Sequence, residues 1–160
     1  MPTVKLGHFG SLIFFGLGCG GVFSANIVGK VSWKMILLVS LLGNGIGLFI
    51  YATYSSYGIL GFGRWLSGFN QVFLLIYIPL YIDAFADKKS KSMWMSAALL
   101  ASPIGTLLGF AITAFTISKY ESWRLSFYIY AAIMALEFVL FAPIPKRFFD
   151  VKKINDVKSK

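Results

Sequence analysis

Five long apolar stretches separated by short polar gaps organise the chain. Phe9–Gly29, Met35–Tyr54 and Met93–Ser118 contain no charged residue, while Gly58–Ile82 contains only Arg64 and Leu125–Pro145 only Glu137. Each is 20 to 26 residues long. A hydrocarbon core about 30 Å thick needs around 20 apolar residues in a helix, so every stretch is long enough to span. Lipid offers no partner to unsatisfied backbone groups, which selects helices, and solid apolar runs lack the alternation of barrel strands. The pattern predicts an all-α fold, a polytopic membrane helical bundle of five transmembrane helices. They are expected over about residues 9–29, 35–54, 58–82, 93–118 and 125–145, with the bundle filling 1–145 and a basic tail at 146–160. The gaps are short, which predicts that sequence neighbours lie side by side and antiparallel. The first stretch is too long for the apolar region of a signal peptide, and Phe23 is bulky where a cleavage site wants a small residue.

Composition agrees with a membrane protein. The 160 residues are 58% hydrophobic and 13% charged, about half the charged content of an average soluble chain. One cysteine, Cys19, and one histidine, His8, leave no disulfide framework and no Cys/His metal cluster. The acids are too scattered for paired-carboxylate chemistry. Asp83 and Asp87 form an i, i+4 pair among lysines, as a solvated helix end would. No catalytic residue, metal or cofactor is expected, and the chain is not read as an enzyme. A net charge of +9 would suit nucleic acid, but the basic residues are confined to gaps between apolar runs. The expected partner is the lipid bilayer, with no nucleic acid.

The basic gaps also set an expected orientation. Lys30, Lys34, Lys88, Lys89, Lys91 and the six basic residues from Lys146 to Lys160 fall on one side, against Lys5, Lys119 and Arg124 on the other. Basic residues concentrate on the cytoplasmic side, so the C-terminus is expected in the cytoplasm and the N-terminus outside or in a lumen.

Within the spans, three glycine pairs four apart (Gly16 and Gly20, Gly43 and Gly47, Gly105 and Gly109) suggest close-packed seams. Pro79 and Pro103 each remove a helical hydrogen bond and should bend their helices. Arg64 lies six residues and Glu137 twelve residues into spans that run in the same direction, roughly 9 and 18 Å along the axis. An ionisable group at the centre of a span costs about 2.5–3.5 kcal/mol even on permissive scales, which makes both functional candidates. Their depths differ too much for a direct pair, so something else must neutralise Arg64.

Three motifs, in order, carry a family resemblance. Arg64-Trp65-Leu66-Ser67-Gly68 opens a helix that runs to Pro79 and ends at Asp83 before a basic loop; Ser102–Phe110 is glycine-rich; Trp123-Arg124-Leu125-Ser126-Phe127 opens the last helix. In this the chain resembles the second to sixth helices of major facilitator superfamily transporters, and looks most like the spinster-like branch. The resemblance implies a partial major facilitator fold and transport of a small organic or lipid-like solute by alternating access. It makes Arg64 an anchor for an anionic group, Asn70 and Gln71 polar cavity lining, and Glu137 a titratable gate. Lys30, Lys34 and Asp83 would hold the cytoplasmic face closed, and Gly68 would be a further packing position.

The family pattern also shows departures. The loop motif G-x-x-x-D-R-x-G-R-R falls here on Gly29, Lys30, Ser32, Trp33 and Lys34 for its last charged and small positions, so only two lysines remain. Gln71 stands where the spinster-like pattern offers Glu, and cannot take up a proton. The resemblance further implies a missing first helix and a missing second six-helix half, so the chain alone is expected to be an inactive fragment. The alternative is a non-transporting membrane subunit or scaffold that keeps a degenerate half-fold and needs a partner subunit.

Overall fold

A computed structural model describes residues 3–28 and 30–149. It is all-helical: α1 (Thr3–Ile27), α2 (Trp33–Thr53), α3 (Tyr57–Phe85), α4 (Lys91–Tyr120) and α5 (Trp123–Phe141), followed by a short 3-10 turn at Lys146–Phe148. All five α-helices are long and apolar enough to cross a membrane. Four of them follow a serine (Ser32, Ser56, Ser90 and Ser122), a residue favoured where a helix begins, although none of these hydroxyls makes a capping hydrogen bond. Among the described residues no strand forms; Val28 and Val31 make one isolated bridge in the α1–α2 turn.

The α1–α2 and α3–α4 turns share one end of the bundle, called here the basic end for its lysines. The α2–α3 and α4–α5 turns lie at the opposite end.

Packing follows chain order only in part. The short gaps predict side-by-side sequence neighbours, which holds for α2 and α3, but α1 lies along α3, and α2 also lies along α5. The reason is where backbones can approach. A methyl group built on Gly20 would lie 2.5 Å from the Phe69 carbonyl oxygen, and one on Gly47 would lie 2.8 Å from that of Gly63. Gly16 and Gly68 are blocked in the same way, by the backbones of Trp65 and Ile13 respectively. With no hydrophobic drive between helices in lipid, such small-residue contacts decide which helices meet. On α4, Gly105 faces open space and Gly109 meets only the Tyr130 hydroxyl at 3.7 Å. That helix touches α5 and α3 sparsely, and Thr116 is its one buried residue.

What ties α4 to α5 is a short polar ladder near the opposite end. Thr116 and Ser126 share a hydroxyl–hydroxyl bond, and the Tyr130 hydroxyl meets Thr113 at 2.8 Å and donates to the Gly109 carbonyl at 2.6 Å. At the basic end the chain after α5 folds back beneath α2 and α3. Phe149 is buried in a cluster with Trp33, Ile36, Val72, Phe73 and Tyr77, and the Tyr77 hydroxyl donates to its carbonyl at 3.3 Å. The basic tail beyond Phe149, and Gly29, lie outside the described residues.

Candidate functional site

Arg64 sits about two turns into α3, on the side that faces α2 and α5. Its guanidinium carbon lies 4.2 Å from the centroid of the Tyr51 ring and 4.8 Å from that of Phe127. Those rings belong to a wider aromatic group: Tyr51 and Phe127 meet edge to face at 4.7 Å, Trp123 lies 5.6 Å from Tyr51, and Phe9 of α1 lies 5.9 Å from it. Four helices therefore converge on one cation.

No carboxylate among the described residues pairs with Arg64. Each cation–π contact contributes about 0.5–1 kcal/mol when exposed and about 2 when desolvated. Two rings are therefore of the same size as the roughly 2.5–3.5 kcal/mol that an arginine costs within a span. The rings do not satisfy the guanidinium's donors: Nε is buried and has no hydrogen-bond partner. A buried donor left unmade costs about 1–3 kcal/mol, so the site retains an unmet demand for an acceptor. The guanidinium carbon lies to one side of this edge-to-face ring pair, against both rings, and a planar guanidinium is suited to receive a carboxylate in two parallel bonds.

The other candidates are spread along the bundle. Gln71 lies seven residues after Arg64, close to two helical turns, so it shares that face of α3 and is exposed. Asn70 faces α2 instead: it is buried, its amide donates to the Leu66 carbonyl at 2.8 Å, and it fills the space left by Gly43. Glu137 lies seven residues after Tyr130 and shares its face of α5, toward α4 and away from Arg64. The structure thus brings Arg64 together with aromatic rings and does not bring it to Asn70 or Glu137.

At the basic end, the Lys34 ammonium donates to the Ala142 carbonyl at 2.6 Å, tying α2 to the carboxyl end of α5 where the helix dipole favours a cation. Asp83 pairs with Lys91 across the α3–α4 turn, and Lys30 is exposed. Trp33, at the position where the family loop motif carries a basic residue, is buried against Tyr77 with ring centroids 5.2 Å apart. Apolar packing occupies this part of the loop.

Sequence reasoning missed Tyr51 and Phe127 as partners of Arg64. Phe127 had a signal, since it closes the Trp123–Phe127 motif; Tyr51 had none beyond being aromatic near the end of an apolar run.

Comparison with known proteins places these features in a family. The family model described as Major Facilitator Superfamily matches residues 3–154. The human synaptic vesicle glycoprotein 2C is 26% identical over 166 aligned residues, covering 92% of this chain and 22% of that protein. Its rat counterpart is 25% identical over the same extent. A gentisate transporter of Corynebacterium glutamicum is 22% identical, with 85% of this chain and 31% of the transporter covered. The chain spans between a fifth and a third of the length of these relatives. No solved structure matches.

Proposed function

The chain belongs to the Major Facilitator Superfamily, and from that membership we propose that it is part of a transporter, not an enzyme, which moves a small organic or lipid-like solute by alternating access. The observation that carries this reading is the Arg64 guanidinium, packed against Tyr51 and Phe127 with its Nε–H unpartnered. It is the anchor for an anionic group, best a carboxylate. Gln71 lines the same face of α3, and Asn70 fixes the α2–α3 seam from which that face is presented. A relative named as a gentisate transporter supports an organic carboxylate as cargo. The finer assignment within the superfamily is the spinster-like branch, on the Arg64–Gly68, Ser102–Phe110 and Trp123–Phe127 motifs taken together.

The orientation in this reading has the N-terminus outside or in a lumen and the basic end in the cytoplasm. There, Trp33 and Tyr77 close the bundle by apolar packing, while Lys34, Asp83 and Lys30 supply the charged contacts of a cytoplasmic gate. Alternating access needs two bundles rocking about a central site. The chain is therefore read as a fragment, inactive alone, that lacks one preceding helix and a second six-helix half.

Peptide sequencing of the native membrane species tests the fragment directly. A species of roughly twelve-helix size, with peptides preceding Met1 and following Lys160, is the expected result. A native species of 17.7 kDa would overturn it and favour the second reading, a non-transporting subunit with a constant partner. The loss of every acid from the α1–α2 loop is the observation on that side.

Glu137 is the candidate for pH control, as the one acid deep within a span. In a complete transporter, Glu137→Gln is expected to flatten the pH dependence of uptake while leaving helix content unchanged. Uptake that varies with pH as in the parent would remove Glu137 as the titratable gate.

A further inference from the structure

Between α2 and α5 runs a groove of about 440 Å³, lined by Leu42, Ile46 and Phe49 on one side and Ala132, Ala135 and Tyr128 among those on the other. Its only polar lining residue is Tyr128, at one end. There, the Tyr128 hydroxyl meets Thr53 at 3.2 Å, and one turn further the Arg124 guanidinium donates to the Ser55 hydroxyl at 2.6 Å. Arg124 has no ion pair among the described residues, and its guanidinium carbon lies 5.4 Å from the centre of the Trp123 ring.

The dimensions identify an occupant. From Thr53 down to Leu42 is eleven residues, roughly 16 Å along α2. Half of a hydrocarbon core is about 15 Å. The groove's own lining on α2 runs from Phe49 to Leu41, eight residues or roughly 12 Å, so it lies within one leaflet, with the hydroxyls and Arg124 just beyond its end where a headgroup would lie. Toward the basic end the lining stops at Leu41 and Ala135, and beyond it Lys34 joins α2 to the Ala142 carbonyl of α5. A transmembrane helix would need the full thickness, whereas an acyl chain needs half.

We propose that the α2–α5 groove holds one acyl chain of a resident phospholipid whose phosphate sits on Arg124. The phosphate accepts from the guanidinium and from the Ser55 hydroxyl, and the chain lies along Phe49, Ile46 and Leu42 against Ala132 and Ala135. This site is separate from the Arg64 cage and does not depend on what is transported.

Native mass spectrometry of the protein released from nanodiscs of equimolar phosphatidylcholine and phosphatidylglycerol tests it. The parent protein is expected to retain one phospholipid through detergent exchange. Arg124→Gln, which removes the phosphate's cation, and Ala135→Phe, which fills the groove, should each lower that retention by at least about tenfold. Arg124→Lys keeps the charge and should retain the lipid. Leu108→Phe, on the exposed face of α4, should retain it too and controls for added bulk. Retention unchanged in either Arg124→Gln or Ala135→Phe overturns the proposal. So does displacement of the bound species by millimolar inorganic phosphate, which would make Arg124 a free-anion site without a chain.

Discussion

Gly68→Leu is expected to detach α1 from α3. A methyl group at Gly68 would meet the backbone of Ile13, with its carbonyl carbon at 2.8 Å and its Cα at 3.0 Å, and a leucine reaches further. The obstacle is main chain, so no side-chain rotation relieves it; one helix must move. Gly16 of α1 is blocked by the Trp65 backbone, and the two glycines interlock across the same seam. Overpacking usually costs about 1–3 kcal/mol and more when backbones must shift, so the loss should lie at or above that upper figure. Gly105 provides the comparison. It also lies in a glycine pair, on α4, but a methyl group there meets nothing within 4 Å. Gly105→Ala should therefore stabilise by up to about 1 kcal/mol through helix propensity, while Gly68→Ala destabilises. Reversible unfolding in mixed micelles would measure both. Equal effects of the two alanines would show that the α1–α3 seam is not where this structure puts it.

The contrast between Gly68 and Gly105 also marks what a sequence can reveal in lipid. Span length and charge exclusion are one-dimensional properties, so five helices are legible from apolar runs alone. Glycine spacing says that a helix can be approached closely, not which helix will do so. Gly16 and Gly47 belong to pairs of the same spacing as Gly105, yet only a neighbouring main chain turns spacing into a seam. For that reason α1 lies against α3, two elements along. The site was legible to the same limited depth. Arg64 stands out because a charge within a span is costly, and its difference in depth from Glu137 argues against Glu137 as its direct partner. Its aromatic partners come from α2 and α5, 13 and 63 residues away, and ring faces leave no charge pattern to read. Likewise, Asn70 reads as polar lining until its burial beside Gly43 is seen; one helical position separates it from exposed Gln71, and the rotation of α3 decides between them.

Arg64→Ala, introduced into a complete transporter containing this segment, is expected to abolish uptake while membrane insertion and folding persist. Insertion should become easier, because the variant removes a charge that costs about 2.5–3.5 kcal/mol within a span. It also removes a buried Nε–H that lacks a partner, so no hydrogen bond within the protein is lost there. A structural role for Arg64 predicts the opposite, a protein that expresses poorly with its rings unsupported. For the cargo, removing one partner of a desolvated charged contact costs about 2–5 kcal/mol, which is roughly 30-fold to several thousand-fold in affinity. Arg64→Lys separates charge from geometry. A compact ammonium neither packs as a plane against Tyr51 and Phe127 nor offers two parallel donors, so uptake should stay well below that of the parent. Tyr51→Leu and Phe127→Leu keep the guanidinium and free it to turn. They should weaken uptake less than Arg64→Ala, and mainly through a raised KM. Normal uptake by Arg64→Ala, measured with a labelled carboxylate in proteoliposomes, would remove the anion anchor from this site.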